Sequence, residues 1–446
     1  MKRQFLLSIV LMFCAQMFAQ RIVVNGVPWY DDRDSIVSAH GGNILRENGT
    51  YYLYGEYKTD SANVFNGFSC YSSTDLANWK WEGLALRLQA DGPLGPNRVG
   101  ERPKVVKCPS TGEFVMLLRS DNKEYKDPLI CYATSKNVTG PYEFRGPMLF
   151  QGKQLKNSDL GSFVDDNGQA YLLTDNGGIY RLAADYHSLD MQVCAKIQGA
   201  GKSPAMFKKG DYYYLLNSQS TAWERNDNFY FAATDLAGPW VNKGNFAPKG
   251  STTFNSQVSF VLPYNYEGNK QYIYIGDRWS YPHQHSCASY VWMPLGTENE
   301  KLGMPDFYPL WETEYCGIKG LKDLGRVDSV SCNTVLASPG QEFSLNQKVK
   351  ENGRIAISGN MGPEGCYAEI TLTQIEGWEE KTATVDFYSK SKYTGLVFLS
   401  PKLPKGLYKV NIRVSGMRPN WPMPDGSIGG STGNKVGLAN IYVIDQ

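Results

Sequence analysis

Five times along the chain a polar turn leads into a run of strand-forming residues. The copies are NGTYYLYGE (48–56), TGEFVMLLR (111–119), NGQAYLLTD (167–175), KGDYYYLLN (209–217) and NKQYIYIGD (269–277). Each looks like the turn and second strand of a β-hairpin. The copies lie roughly 40 to 60 residues apart, the spacing of a repeat architecture. A second element follows several of them: CYSSTDLANWKWEG (70–83), CYATSKNVTGPYEFRG (131–146) and FAATDLAGPWVNKG (231–244). Each is a strand, a polar turn and an aromatic strand ending near Gly. Long helical periodicity is absent. The pattern predicts an all-β chain: four-stranded units repeated into a five-bladed β-propeller, with a β-sandwich as the competing architecture.

After Leu310 the pattern changes. Alternating strands such as RIAISG, CYAEITLTQI, ATVDFYS and YKVNIRVSG are separated by Gly- and Pro-rich turns. They predict a C-terminal β-sandwich domain, whose role is either to bind carbohydrate or to pack against its neighbour. The predicted boundaries are a signal peptide at 1–19, the propeller at 20–315 and the sandwich at 316–446. The signal peptide rests on Lys2, Arg3 and the short apolar run from Phe5 to Phe18. The run is too short for a membrane span, so export to the periplasm or the exterior is expected. Leu11-Met12-Phe13 before Cys14 are too bulky for a good lipid-attachment site, which argues against anchoring there.

A net charge of +1 gives no electrostatic reason to expect nucleic acid. Aromatics at 13% suit strands and sugar binding alike. The eight cysteines after residue 19 show no CxxC pair, which disfavours a metal site, and leave buried thiols and disulfides both open. The HxH of His283 and His285 lacks acidic or Cys partners nearby in sequence, so no metal is expected there. His40 reads as a packed residue near the propeller axis, where a structural ion or water has room. No other cofactor is expected, and the chain is expected to act as a monomer.

A propeller gathers the first strand of every blade around one mouth. The segments that would meet there include AHGG (39–42), YGEYK (54–58), ERPKV (101–105), SPAMFKKGDYYYL (203–215), TAWERN (221–226), SQVSFV (256–261) and SYVWMPL (289–295). In order and spacing they resemble family 43 glycoside hydrolases, and within them the exo-β-1,3-galactanase branch. The resemblance spans about 270 residues. It implies an exo-acting, inverting hydrolase of β-galactan or a related plant-type glycan. It implies that Glu101 tunes the acid and orients the sugar. It implies that Gln257 holds the attacking water where most relatives place an aspartate base. Glu56, Tyr125, Asp159, Thr221 and Asn226 match positions at the terminal sugar subsite, and Trp223 matches the aromatic that covers a sugar face. From chemistry alone, inversion needs one group to protonate the leaving oxygen and another to activate water opposite it. Clustered carboxylates can shift each other's pKa to that end.

One position departs from the family. Its general acid is a glutamate in Glu-x-Pro-Ala, and here Lys202-Ser203-Pro204-Ala205 stands in its place. A lysine, with an ordinary pKa of about 10.4 against about 4.3 for glutamate, is a poor proton donor near neutrality. The Arg that usually precedes the third blade's aspartate is Ser158. Four accounts of Lys202 stay open. Another acid substitutes, Glu224 being nearest in sequence. Or the substrate carries an acidic group that Lys202 pairs with. Or the mouth binds glycan without cutting it. Or a local shift carries Lys202 out of the mouth. A propeller serving only protein contacts is a further class, but it has no use for these residues together.

Overall fold

The computed structural model describes residues 21–446 apart from 299, 378 and 424, so the predicted signal peptide and Cys14 lie outside the described residues. All five predicted hairpins are present. They pair His40–Glu47 with Thr50–Glu56, Arg98–Lys107 with Phe114–Asn122, and Leu160–Val164 with Ala170–Thr174. They continue with Lys202–Lys209 against Tyr212–Ser218, and Gln257–Tyr266 against Asn269–Arg278. The first turn holds Asn48 and Gly49 at φ 49° and 82°, the doubly left-handed geometry that Asn-Gly favours.

Each hairpin opens its own sheet, antiparallel throughout except where Phe150 pairs in parallel with Leu189 in the third. The first, second and fourth sheets have four strands, the third six and the fifth three. The first strands touch in cyclic order, with the fifth against the first. The N-terminal segment runs along the fifth sheet, where Gly26 N–H donates to Tyr290 O and the Asn25 side chain bonds the Trp292 backbone both ways.

Consecutive residues of one strand serve different cores. Val105 and Met116 face the first sheet, whereas Val106 and Leu117 face the third. Tyr214 packs toward the fifth sheet and its neighbour Leu215 toward the third. Both faces of these sheets are covered, so the strands read as unbroken apolar runs rather than as alternation. The C-terminal strands do alternate. Tyr408, Val410, Ile412 and Val414 enter a core shared by two four-stranded sheets, and the intervening residues turn outward.

All eight cysteines among the described residues are free thiols, seven of them buried. The disulfide alternative therefore falls away for these residues. No helix among them is long and apolar enough to cross a membrane.

Candidate active site

The first strands carry a repeated irregularity near their start. The register slips between His40 and Asn43, between Glu101 and Lys104, and between Lys202 and Ala205. Inside each slip sits a left-handed residue: Gly41 at φ 69°, Arg102 at φ 56° and Ser203 at φ 52°. A bulge re-aims side chains at the rim of a sheet. Holding Arg102 and Ser203 left-handed costs on the order of 1–3 kcal/mol each, a strain that tends to collect at functional sites. Gly41 has a steric reason as well, since a Cβ there would lie 2.1 Å from Glu56 Oε1.

The bulges bring one connected network together. Glu101 Oε2 accepts from Arg119 Nη1 at 2.9 Å, and its Oε1 accepts from Asn63 Nδ2 at 2.8 Å and the Tyr125 hydroxyl at 3.0 Å. Arg119 also pairs with Asp121 at 2.6 Å. Glu56 Oε2 lies 2.5 Å from Lys58 Nζ, and its Oε1 accepts from the Arg102 N–H at 3.1 Å. The Arg102 guanidinium reaches Ser203 Oγ at 2.6 Å and Asp159 Oδ1 at 3.4 Å, and the Ser203 N–H donates to Asp159 Oδ2 at 2.9 Å. Glu56, Glu101 and Asp159 are all buried.

Lys202 belongs to the same rim. Its Nζ lies 2.6 Å from Asp175 Oδ2 and donates to Ser158 Oγ, and its side chain stays 32% exposed.

Aromatic rings wall one side. Trp223 lies parallel to Tyr281, with centroids 5.8 Å apart, and edge-on to Trp279 at 5.2 Å. Lys58 Nζ sits 5.6 Å from the Trp223 ring, within cation–π range. Gln257 Nε2 donates to Ala222 O at 3.1 Å and Glu224 O at 2.6 Å, the carbonyls on either side of Trp223. Thr221 Oγ1 accepts from Asn226 Nδ2 at 2.7 Å and itself donates to Glu224 O at 2.6 Å, closing this loop on itself.

Glu224, the expected substitute acid, has a buried carboxyl. Its Oε2 accepts from the Tyr388 hydroxyl at 2.6 Å and its Oε1 from the Arg225 N–H at 3.1 Å. One of these donors, the Tyr388 hydroxyl, comes from the C-terminal region, and the other is the N–H of the next residue in the same loop.

Charge separates the carboxyls. Burial alone would raise Glu101, but Arg119, Lys58, the Asn63 amide and Arg102 outweigh it and hold it below the ordinary range. Burial raises Glu56, with Lys58 opposing and Glu101 adding to the rise. Asp175 is lowered: the hydrogen bonds of Lys202 and Ser158 and the Lys202 charge overcome its burial. Asp277 is lowered likewise, by the His40 ring at 3.0 Å, Arg102 and the Gly41 N–H.

Groups depressed in the folded state bind fewer protons than in the unfolded chain. Their stabilisation is complete above the ordinary carboxylate range and is lost as pH falls through their folded values. Thermal midpoints should therefore fall steeply below about pH 4. The slope should be shallower in Asp277→Asn, which removes one such group. An equal slope in both would contradict the assignment.

Beside His40, where room for an ion is expected, the Lys104 ammonium reaches the Gly41, Gly42 and Ser259 carbonyls at 2.8, 2.5 and 3.0 Å. Among the described residues no cluster of three or more His, Cys, Asp or Glu could hold a metal.

Lys58, Asn63, Arg102, Arg119, Asp175, Trp279 and Asp277 join the network without being singled out by any sequence motif. A signal for some of them was available. The residue closing each repeated hairpin string is Glu56, Arg119, Asp175, Asn217 or Asp277, polar and buried in every case. Arg119 stands opposite Glu101, Glu56 opposite His40 and Asp277 opposite Gln257.

A connected set of buried carboxylates beside an aromatic wall is the equipment of a carbohydrate site. The chain belongs to glycosyl hydrolases family 43, whose model matches residues 37–259. Among solved structures it is similar to a putative exo-beta-1,3-galactanase from Bifidobacterium bifidum, at 34% identity and TM-score 0.59, covering 63% of this chain and 95% of that one. It is also similar to the exo-beta-1,3-galactanase from Phanerochaete chrysosporium solved with galactose, at 25% identity and TM-score 0.69, covering 95% and 100%. A third likeness is to an exo-beta-1,3-galactanase from Clostridium thermocellum, at 26% identity and TM-score 0.61, covering 93% and 87%. A curated relative is a non-reducing end alpha-L-arabinofuranosidase of Bacteroides ovatus, 24% identical over 197 residues. That match takes in 42% of this chain and spans about a third (35%) of the relative's length.

Proposed function

We propose that this chain is an exported glycosidase that removes terminal galactose from β-galactan or a related plant-type glycan, with inversion at the anomeric carbon. In this reading residues 20–315 form a five-bladed β-propeller and 316–446 a β-sandwich, behind a signal peptide at 1–19. The chain acts as a monomer. The observation that carries the reading is the joining of Glu56, Glu101 and Asp159 through Arg102, Lys58 and Asn63, beside Trp223 and Gln257. Likeness to exo-β-1,3-galactanases over most of the chain supports the substrate class.

The roles follow from the donors each group has. Glu101, kept ionised by Arg119, orients the sugar and sets the field at the leaving oxygen. The Gln257 Nε2 is committed to two carbonyls, which presents its Oε1 as an acceptor for a proton of the attacking water. Trp223 offers its ring to the apolar face of the terminal sugar. Thr221 and Asn226 shape the loop behind it, and Tyr125 closes the opposite rim. Lys202 stands where the family keeps its acid, so protonation of the leaving group is the slow part of the reaction.

A second reading, glycan binding without cleavage, is favoured by one observation: the Lys202 ammonium is paired with Asp175 at the acid's position. Release of galactose from β-1,3-galactan and arabinogalactan separates the two. The hydrolase releases monosaccharide from chain ends. The binder retains affinity for the same oligosaccharides and releases none.

A further inference from the structure

The loop that carries Trp223 and holds Gln257 is fastened from behind by the C-terminal sheets. Glu224 accepts from the Tyr388 hydroxyl at 2.6 Å. Arg225 is fully buried, lies 3.3 Å from Asp386 Oδ2 and places its guanidinium 5.2 Å from the Tyr388 ring. The neighbouring loop, which carries Trp279 and Tyr281, is fastened by Asp386 as well, and by Tyr367 and Asn420. Ser280 Oγ donates to Asp386 Oδ2 at 2.9 Å, and the Tyr367 hydroxyl donates to Ser280 O at 3.2 Å. His283 stacks on Tyr367 with centroids 4.5 Å apart, and the Asn420 N–H donates to Tyr281 O at 3.1 Å.

We infer that Tyr388 and Asp386 are positioning residues for the candidate active site, acting through Glu224, Arg225 and Ser280 on Gln257 and on the stacked pair of Trp223 and Tyr281. The C-terminal sheets are then a working part of the site, beyond any role in capturing glycan. The physical reason is the state of the seam. Buried polar groups with few alternatives specify one arrangement, since an unmade bond leaves an uncompensated charge or carboxyl. Two short loops with no regular structure of their own gain a single conformation from it. Gln257 in turn hangs on the carbonyls of residues 222 and 224, so displacement of Glu224 moves the amide that faces the attacking water.

The inference rests on the proposed function for its kinetic consequence but has a readout that does not. In the full chain, the indole N–H signal of Trp223, assigned by its loss in Trp223→Phe, is compared between wild type, Tyr388→Phe, Asp386→Asn and Lys381→Ala. Lys381 pairs with Asp34 elsewhere along the same seam, at 2.8 Å, and serves as the control. The expected result is a Trp223 signal moved in Tyr388→Phe and in Asp386→Asn but not in Lys381→Ala, with Tyr388→Phe still folding cooperatively. On β-1,3-galacto-oligosaccharides Tyr388→Phe lowers kcat/KM about tenfold, and it lowers it no further in a Gln257→Ala background, because coupled residues are non-additive. An unmoved Trp223 signal overturns the inference. So does a loss of the same size with and without Gln257. If wild type cleaves nothing, the proposed function fails and the Trp223 signal alone still decides whether the seam positions the loop.

Discussion

Glu101→Gln should abolish most turnover, lowering kcat by roughly 10²–10⁴ on any substrate the wild type cleaves. The carboxylate is buried and receives three hydrogen bonds, from Arg119, Asn63 and Tyr125. Glutamine is close in shape and its carbonyl can keep part of that set. What it loses is the negative charge that the proposed mechanism sets against the leaving oxygen. Glu101→Ala should add a stability cost of about 3 kcal/mol, since Arg119 keeps Asp121 but loses its second carboxylate. The pair of variants therefore separates charge from packing. Steady-state kinetics with thermal unfolding is the check. A Glu101→Gln enzyme within threefold of wild type would remove Glu101 from the chemistry.

Lys202→Glu should raise turnover on neutral β-1,3-galactan about 100-fold, the low end of what a placed general acid contributes. The new carboxyl would stand near Asp175, which now holds the Lys202 ammonium at 2.6 Å. Two carboxyls at one site push one pKa up, which keeps a proton on the donor closer to neutral pH. The same repulsion should lower the thermal midpoint by a few degrees, and Asp175→Asn in the same background should return it. If the natural substrate carries an acidic group, Lys202→Glu should instead weaken binding of uronic-acid oligosaccharides. A variant unchanged in turnover, affinity and stability would mean that Lys202 does not face the substrate.

The repeat was legible because the inner strands of every sheet are built alike: a tight turn fixed by Gly or Asn, then an apolar run covered on both faces. The C-terminal strands were legible for the opposite reason, since Tyr408, Val410, Ile412 and Val414 alternate with outward residues. Motifs near the ends of the inner strands pointed to Glu56, Glu101 and Asp159. Their partners were hidden, because a partner is set by register across a hairpin or by the neighbouring sheet. Arg119 reaches Glu101 from 18 residues away, and Arg102 reaches Ser203 from 101 residues away. Glu224 shows the limit most plainly. Next to Trp223 in sequence, it looks like a substitute acid. Its hydroxyl partner, Tyr388, is 164 residues on, just past a strand of the C-terminal sheets, and local sequence carries no trace of that contact.

The measurement that tests the central claim most directly follows the anomer of galactose released from β-1,3-galactan by the wild-type chain, by proton NMR in the first minutes of reaction. Inversion at a β-linked chain end predicts α-galactose first, with β-galactose growing in only by mutarotation. β-Galactose appearing first would contradict the roles given to Gln257 and Glu101. No release at all, with galactotriose still bound, would make this mouth a glycan-binding site.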